Sequence, residues 1–270
     1  MAIKMKLDQS KLVRNLAAKN VLVPHLDRAI SEGDFDWTYQ YEPKRIDDGW
    51  HPSGDCTPTP YELYQKAQID PWSEERVEDF SVGLWKTFQV GHFWHQFLQH
   101  IVEHKLGFCE RTSIERRGLV AWDEQGKLQR EIYPMNPTPK TVVHTKAFHY
   151  LTGSADIAPC TIPEHGDFLV DFKTMKSMDF RKNDAPDWCV NKWEAQLNIY
   201  MDFFDLERGI IIGINKDSPH DFKEFEFHRN DDLIATIYEK LMLVSECLDE
   251  EVPPPKDFDL ELPLEGPIKR

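Results

Sequence analysis

The sequence reads Gly-Ser-Ala-Asp-Ile-Ala at residues 153–158 and Gly-Asp-Phe-Leu-Val-Asp-Phe-Lys-Thr at residues 166–174. Apolar residues follow Asp156, and turn-forming residues fill 159–166. This pattern predicts a strand, a turn and a second strand. A hairpin of this kind would bring Asp156 close to the side chains of the second strand.

The second strand combines an apolar face with a charged one. Side chains alternate along a strand, so Phe168, Val170 and Phe172 are expected to face a core. Asp171 and Lys173 then lie on the opposite face, side by side at the end of the strand.

Asp156, Asp171 and Lys173 together suggest a site for a divalent metal. Carboxylate oxygens are the hard ligands that Mg²⁺ prefers, and an ammonium group can hold a water molecule and offset the charge of a phosphate. An Asp-x-Lys pattern alone also arises by chance in charged proteins. The interpretation therefore depends on the other motifs of the chain.

Composition predicts a globular protein with one main domain. The chain has 270 residues, of which 40% are hydrophobic and 12% aromatic, enough for a substantial core. No apolar run approaches about 18 residues and no N-terminal secretion signal is present, so we expect no membrane span and a cytoplasmic location. The five cysteines are scattered without a C-x-x-C pair, which is typical of reduced structural thiols.

The charge balance argues against a protein that coats nucleic acid without specificity. The net charge is −15, and such proteins are usually basic. Locally the balance reverses, because residues 173–192 are rich in Lys and Arg, which suits a phosphate backbone or a solvated loop equally. The acidic excess is concentrated at residues 246–261.

The order of predicted elements indicates an α/β fold with a mixed central β-sheet flanked by helices. We expect an N-terminal helical elaboration at residues 1–80, a core at 81–248 and an acidic, proline-rich tail at 249–270. Within the core, the predicted elements are a helix at 82–106, a hairpin of 108–115 with 118–122, a proline-rich loop at 133–140, a helix capped at 184–186, strands at 208–215 and 222–228, and a closing helix at 231–248.

Histidines of the first core helix are candidates for a ligand role. His95 falls at the rim of the apolar face, and Gly91, one turn earlier, leaves room for close approach by a backbone or a ligand. A packed, hydrogen-bonded histidine would give the same pattern. His100 and His104 have zinc-like spacing, but no third ligand fits, so they are interpreted as surface residues.

Further candidates lie on other elements. Glu110 and Glu115 could add an acidic ligand, although solvent-facing strand positions explain them equally. Gln196 and Tyr200 are one helical turn apart, so both can contact the same object. A core tyrosine with a glutamine at its edge is the alternative.

In their order along the chain, these motifs resemble those of the PD-(D/E)XK nucleases. The similarity is to the RecB-like exonuclease branch, which includes CRISPR-associated adaptation exonucleases and related phage proteins. The matching motifs are Gly91-x-x-x-His95, Gly153-x-x-Asp156, Asp171-Phe172-Lys173, Gln196-x-x-x-Tyr200, and the entry His51-Pro52-Ser53 with Cys56. The resemblance implies a restriction-endonuclease-like core and covers about residues 51–213.

The resemblance also implies roles for individual residues. His95, Asp156, Asp171 and the backbone carbonyl of Phe172 would bind Mg²⁺ or Mn²⁺, and Lys173 would orient and activate water. By the same resemblance, Gln196 and Tyr200 would support the site and the DNA phosphate.

The implied activity is a metal-dependent DNA exonuclease acting on single strands or free ends, with protein partners left open.

Two positions depart from the family pattern. Iron–sulfur members use one early cysteine and three near the C-terminus, whereas only Cys247 lies late in this chain, so no cluster is expected. Gln99 stands where a glutamate would follow His95 by four residues, which predicts a weaker metal position.

Two other functional classes remain open. The first is a nuclease-fold protein with weak catalysis that acts as a binding partner in DNA repair or defence. The second is an iron oxygenase, because His165, Asp167 and His220 imitate a set of two histidines and one carboxylate. The positions of these three residues in turns argue against the oxygenase.

Overall fold

The computed structural model describes residues 20–33, 49–69, 82–133, 146–180, 187–217 and 221–268. The α-helices there are α1 (Val23–Glu32), α2 (Pro52–Asp55), α3 (Pro60–Gln68), α4 (Val82–His100), α5 (Ser177–Phe180), α6 (Asp187–Phe204) and α7 (Asp231–Asp249). The strands are β1 (Arg117–Trp122), β2 (Leu128–Tyr133), β3 (Tyr150–Ser154), β4 (Ile157–Ile162), β5 (Gly166–Met175), β6 (Arg208–Asn215) and β7 (Phe222–His228).

The strands form two sheets. One is antiparallel in the order β2-β1-β3, and the other has the order β4-β5-β6-β7. Within the second sheet β5 and β6 run parallel, whereas β4 and β7 pair antiparallel at its edges. A parallel pair needs a crossover connection, and α6 supplies it between β5 and β6. The predicted α/β class with a mixed sheet flanked by helices is confirmed, and the separate three-stranded sheet adds to it.

Strand β5 is buried on both faces of the four-stranded sheet. Phe168, Val170 and Phe172 pack into a core shared with α1 and the end of α4. Leu169 and Met175 face a second core that includes α6 and α7. The alternation predicted for β5 is therefore present, but its charged end is enclosed by protein. This enclosure places Asp171 inside the molecule.

The structure corrects the predicted hairpin of 108–115 with 118–122. Residues Arg111–Ser113 form a 3₁₀ turn, and β1 pairs with β2 and β3 instead. The turn of the true hairpin is closed by Asp123, whose side chain accepts hydrogen bonds from the backbone N–H groups of Gln125 and Lys127. The hydrogen bonds of Asp123 thus stabilise the turn that pairs β1 with β2. The alternation of apolar and polar side chains does not reveal this pairing.

The predicted helix at 82–106 is helical throughout but changes type. It is α-helical to His100 and continues as a π-helix, Ile101–Leu106. Gly107, in the left-handed conformation at φ 66°, ends it. The loop predicted at 133–140 starts one residue too early, because Tyr133 is the last residue of β2. Its other residues, 134–140, and the cap predicted at 184–186 lie outside the described residues.

Two buried or half-buried glutamates attach peripheral segments to the core. The carboxylate of Glu224 on β7 accepts hydrogen bonds from the backbone N–H groups of Val21, Leu22 and Val23 at 2.7–3.2 Å, which caps the start of α1. Glu194 on α6 accepts hydrogen bonds from the backbone N–H groups of Glu265 and Gly266 in the C-terminal tail. None of the described helices combines the length and the apolar character needed to cross a membrane.

Candidate functional site

Asp156 occupies the junction between the two sheets. It follows β3, precedes β4 and is placed beside β5 by the pairing of Ile157 with Val170. Its Oδ2 accepts a hydrogen bond from the backbone N–H of Phe172 at 2.6 Å. Its Oδ1 lies 3.3 Å from Nδ1 of His95 on α4. A ring nitrogen this close to a carboxylate oxygen must carry a proton, so Asp156 links α4 to β5 through two donors.

Asp171 lies on β5 with Lys173 beside it. The Nζ of Lys173 is 2.5 Å from Oδ2 of Asp171, and the two side chains are 23% and 4% exposed. The ammonium of Lys173 is therefore the direct partner of the buried Oδ2 of Asp171. A buried carboxylate is stable only when a cation or hydrogen-bond donors compensate its charge, and here the cation is Lys173.

The charges of these groups depend on one another. Burial alone would lower the pKa of His95, but the carboxylate of Asp156 outweighs burial and raises that pKa. Burial would raise the pKa of Asp156, yet the charges of His95 and Lys173 hold it below its usual value. Burial raises the pKa of Asp171; the ammonium of Lys173 opposes the rise, and the carboxylate of Asp156 adds to it. The pKa of Asp171 is therefore raised, whereas that of the neighbouring Asp156 is lowered.

Gln196 and Tyr200 lie together on α6, as their spacing predicts. The Nε2 of Gln196 donates a hydrogen bond to the Tyr200 hydroxyl at 3.1 Å, and both side chains are buried. Burial raises the pKa of Tyr200 above its usual value, and the charge of Asp171 raises it further, so the phenol is electrostatically linked to the carboxylate site.

Two glycines of the predicted motifs have different surroundings. A Cβ on Gly153 would come within 2.9 Å of Pro52 and of the Tyr200 ring, so this position admits no side chain without rearrangement. A Cβ on Gly91 would lie 3.4 Å from Oγ1 of Thr174 on β5, which is an ordinary contact. Gly153 is therefore the glycine that the packing requires.

Gln99, which departs from the family pattern, also contacts the site. It is 4% exposed, and its Nε2 donates to the backbone oxygen of Asp156 at 3.3 Å and to Oδ1 at 3.4 Å. It therefore orients Asp156 from the helix that carries His95. Its position four residues after His95, on the same helical face, was the available signal.

The donor set suits a hard divalent ion, but the side chains do not form a metal cage as they stand. Two carboxylates and one imidazole match the ligand preferences of Mg²⁺ and Mn²⁺. Over the described ranges, no group of three His, Cys, Asp or Glu side chains is arranged to hold a metal. His95 and Lys173 occupy carboxylate oxygens that an ion would use.

The remaining candidates lie apart from this cluster. The rings of His100 and His104 are 4.6 Å apart at the junction with the π-helix, next to Glu103. Glu110 is exposed, and the contact of Glu115 with Asp156 is a backbone hydrogen bond between its N–H and the Asp156 carbonyl oxygen at 3.0 Å.

The set proposed for an iron oxygenase is not assembled in the part that can be described. Asp167 accepts a hydrogen bond from the Thr161 hydroxyl at 2.7 Å, and His165 lies in the turn before β5. His220 lies outside the described residues. Cys56 and Cys160 are buried free thiols, and burial raises the pKa of Cys56 to about 12.

Comparison with known proteins gives matches among solved structures. No protein-family model matches the sequence, and neither does any curated protein. The chain is similar to the solved structure of SSO0001, with a TM-score of 0.46 and 16% identity over 86% of this chain and 88% of that one.

Two other similar structures are exonucleases by name. One is an alkaline exonuclease from Laribacter hongkongensis, with a TM-score of 0.39 and 12% identity over 76% of this chain and 89% of that one. The other is a phage-related exonuclease from Haemophilus somnus 129PT, with a TM-score of 0.32 and 17% identity over 38% of this chain and 56% of that one.

Proposed function

We propose that this protein is a metal-dependent DNA exonuclease that hydrolyses phosphodiester bonds at the cluster of His95, Asp156, Asp171 and Lys173. The observation that carries the proposal is the grouping of Asp156 with the buried Asp171, whose charges influence each other, beside the imidazole of His95 and the ammonium of Lys173. Keeping such a group buried costs stability, and binding a divalent cation would offset that cost.

Asp156, Asp171, His95 and the carbonyl of Phe172 would hold the ion, which we propose to be Mg²⁺ or Mn²⁺. When bound, such an ion supplies a Lewis acid for phosphoryl oxygens and lowers the pKa of water. Asp156 contributes a carboxylate held in place by β5 and α4. Gln99 and His95 then fix the direction in which that carboxylate points.

Lys173 is the residue that would distinguish hydrolysis from simple metal binding. Its ammonium is partly exposed while its partner Asp171 is buried, so it can reach a phosphate oxygen from the same strand face. Negative charge grows on that oxygen in the transition state, and a fixed cation stabilises it there. Gln196 and Tyr200 would support the neighbouring phosphate and exclude water from behind the carboxylates.

A nuclease-fold protein with weak catalysis, acting as a binding partner in DNA repair or defence, is the second candidate. It is favoured because both carboxylates already have partners within the protein. Asp156 accepts hydrogen bonds from His95 and Phe172, and Asp171 lies against Lys173. In that case DNA or a protein partner would bind without cleavage.

Digestion of end-labelled linear DNA and of closed circular DNA tests the proposal. We expect linear DNA to lose its label with Mg²⁺ or Mn²⁺, circular DNA to persist, and chelator to stop the reaction. Asp171→Ala should abolish cleavage while DNA binding is retained. Cleavage by an Asp171→Ala preparation at the wild-type rate would overturn the mechanism, and binding without cleavage by the wild type would favour the second candidate.

A further inference from the structure

The segment that follows the π-helix lies alongside strand β4. The backbone N–H of Thr161 donates to the carbonyl oxygen of Phe108 at 2.7 Å, and Ile114 forms an antiparallel bridge with Ile157. As residue numbers rise from 108 to 114 along the segment, the contacted residues of β4 fall from 161 to 157. The segment is therefore antiparallel to β4.

Two cysteines from distant parts of the sequence face each other across this contact. Cys109 follows Phe108 and Cys160 precedes Thr161, so the two cysteines form the next pair of the antiparallel arrangement. In such a pair, next to a hydrogen-bonded one, the Cα atoms are about 4.5 Å apart and the side chains lie on the same face. A disulfide joins residues whose Cα atoms are about 4.4–6.8 Å apart. The backbone therefore holds these two cysteines at a separation that a disulfide can span.

The packing of the two side chains agrees with this backbone placement. Cys160 is fully buried in the core shared by α1, β5 and the end of α4, and Cys109 packs against the same core. Burial raises the pKa of the Cys160 thiol, and the proximity of Cys109 raises that pKa further. Both cysteines are free thiols in the structure. They are thus reduced neighbours in one apolar cluster.

Cys109 is the more accessible thiol of the pair. It is half-buried and lines an open cavity of about 700 Å³, together with Pro159 and Thr161 of β4. Cys160, by contrast, is 0% exposed. A small oxidant that enters the cavity therefore meets Cys109 first, and Cys160 is placed to complete the bond from within the core.

The same burial makes both thiols slow to react. Burial raises the pKa of Cys109 to about 12, and the carboxylate of Glu103 adds to the rise. The thiolate is the nucleophile in disulfide exchange, so only a small fraction of Cys109 is reactive at neutral pH. Cys160, with its raised pKa, is also a poor leaving group when a reductant attacks the bond at Cys109. A disulfide here forms slowly and is reduced slowly.

We propose that Cys109 and Cys160 are a site of reversible oxidation, at which a disulfide joins the segment after α4 to β4. The oxidant is a low-molecular-weight disulfide. Cys109 loses its proton, attacks one sulfur of the oxidant and releases the first small thiolate. Cys160 then loses its proton, attacks Sγ of Cys109 and releases the second. The cysteine pair is oxidised, and the small disulfide is reduced to two thiols.

The bond would fasten together the two elements that hold Asp156 in place. The π-helix connects α4, which carries His95 and Gln99, to the segment of Cys109, and β4 begins directly after Asp156. Closing the loop between residues 109 and 160 restricts the unfolded chain, so the oxidised protein should be more stable. The inference goes beyond the proposed nuclease function and does not depend on it.

Incubation of the folded full chain with oxidised glutathione in a mildly alkaline buffer tests this inference. After acid quenching, alkylation and peptide mass spectrometry, we expect one intramolecular cross-link, between Cys109 and Cys160. The melting temperature should rise by about 5 °C or more and return to its starting value after full reduction. The same reaction during refolding of the reduced chain from urea bypasses slow access to the buried thiols.

Two variants and one control locate the effect. Cys109→Ser and Cys160→Ala should each form no cross-link and show no rise in melting temperature with oxidant. Cys247→Ser removes another half-buried free thiol and should leave both the cross-link and the temperature rise unchanged.

A chain that forms no bond between Cys109 and Cys160, either folded or during refolding, would overturn the inference. A wild type that keeps glutathione on Cys109 while Cys160 stays free would also overturn it, because the second thiol would then be too far away to attack. DNA digestion plays no part in these measurements, so a failure of the nuclease proposal leaves their outcome unchanged.

Discussion

At the scale of single residues, the two aspartates of the site are held in different ways. Asp156 accepts hydrogen bonds on both oxygens, from His95 and from the Phe172 backbone, so it joins a helix to a strand. Asp171 is more deeply buried, and its Oδ2 lies against the ammonium of Lys173. One carboxylate therefore supports the fold, and the other is maintained at a cost to it.

Isosteric amides separate these roles. Asp156→Asn places an amide donor near the donors of Phe172 and His95, so we expect the free energy of unfolding to fall by about 2 kcal/mol. Asp171→Asn removes a buried charge and should change the free energy of unfolding by less than about 1 kcal/mol. Urea denaturation measures both values, and DNA digestion should be lost in both variants. Equal stability losses would contradict the assignment of Asp156 as the structural carboxylate.

Lys173 should act on the rate of cleavage and not on metal affinity. We expect Lys173→Ala to bind Mn²⁺ nearly as the wild type does and to cut DNA about 10²-fold or more slowly, a transition-state effect of about 3 kcal/mol. Lys173→Arg should restore little activity, since a planar guanidinium does not replace a compact ammonium. Single-turnover cleavage and Mn²⁺ titration check the two quantities. Wild-type cleavage by Lys173→Ala would refute this role.

At the scale of elements, the site is created where β3, β5 and α6 approach one another. β3 passes so close to α6 that a side chain at position 153, now Gly153, would collide with Pro52 and Tyr200. The α4 helix packs on β5 less tightly, because Gly91 has only Oγ1 of Thr174 at contact distance. The β3–α6 contact therefore controls where Tyr200 and Gln196 stand relative to the carboxylates.

Alanine substitutions at the two glycines should have opposite effects. Gly153→Ala forces Pro52 or Tyr200 to move, and we expect the free energy of unfolding to fall by about 1–3 kcal/mol. Gly91→Ala lies inside a helix with space for a methyl group, so a gain of about 0.5–1 kcal/mol is expected from helix propensity. Thermal and urea unfolding of the two variants provide the comparison. A tolerated Gly153→Ala would show that β3 and α6 can separate without cost.

At the scale of the whole molecule, the C-terminal tail is fastened to the core. The buried carboxylate of Glu194 accepts hydrogen bonds from the backbone N–H groups of Glu265 and Gly266 at 2.7 and 2.9 Å. Leu262 and Leu264 pack against the core cluster beneath. The described residues of the acidic segment therefore lie along the core, held there by hydrogen bonds and apolar contacts.

Glu194 should give the protein a specific dependence of stability on pH. Burial raises its pKa above the usual value of 4.5, although the two tail N–H groups oppose the rise. The folded chain then holds this proton more tightly than the unfolded chain, so the free energy of unfolding falls as pH rises from 4.5 through the folded pKa.

Glu194→Gln should flatten that part of the pH profile, because an amide does not titrate. Urea denaturation at several pH values above 4.5 measures it. The exposed Glu239, changed to glutamine, provides a control that removes the same charge from the protein surface. An identical slope in Glu194→Gln and the wild type would contradict the assignment.

The sequence by itself determined the alternation along β5, the pair of Asp171 and Lys173 at its end, and the helical turn that joins Gln196 to Tyr200. These features depend on periods of two and 3.6 residues, which act within one element. The mixed sheet also followed from the order of elements.

Only the tertiary structure decided how these elements meet. It showed that Asp156 is held from two sides, that Gln99 orients it, that β1 pairs with β2 and β3, and that Cys109 lies opposite Cys160. Each of these facts depends on residues distant in the sequence, and pairing of strands is set by packing and turn geometry that local patterns do not encode. The state of Asp171 is likewise a tertiary property, because burial on both faces of β5 removes the water that an exposed carboxylate would use.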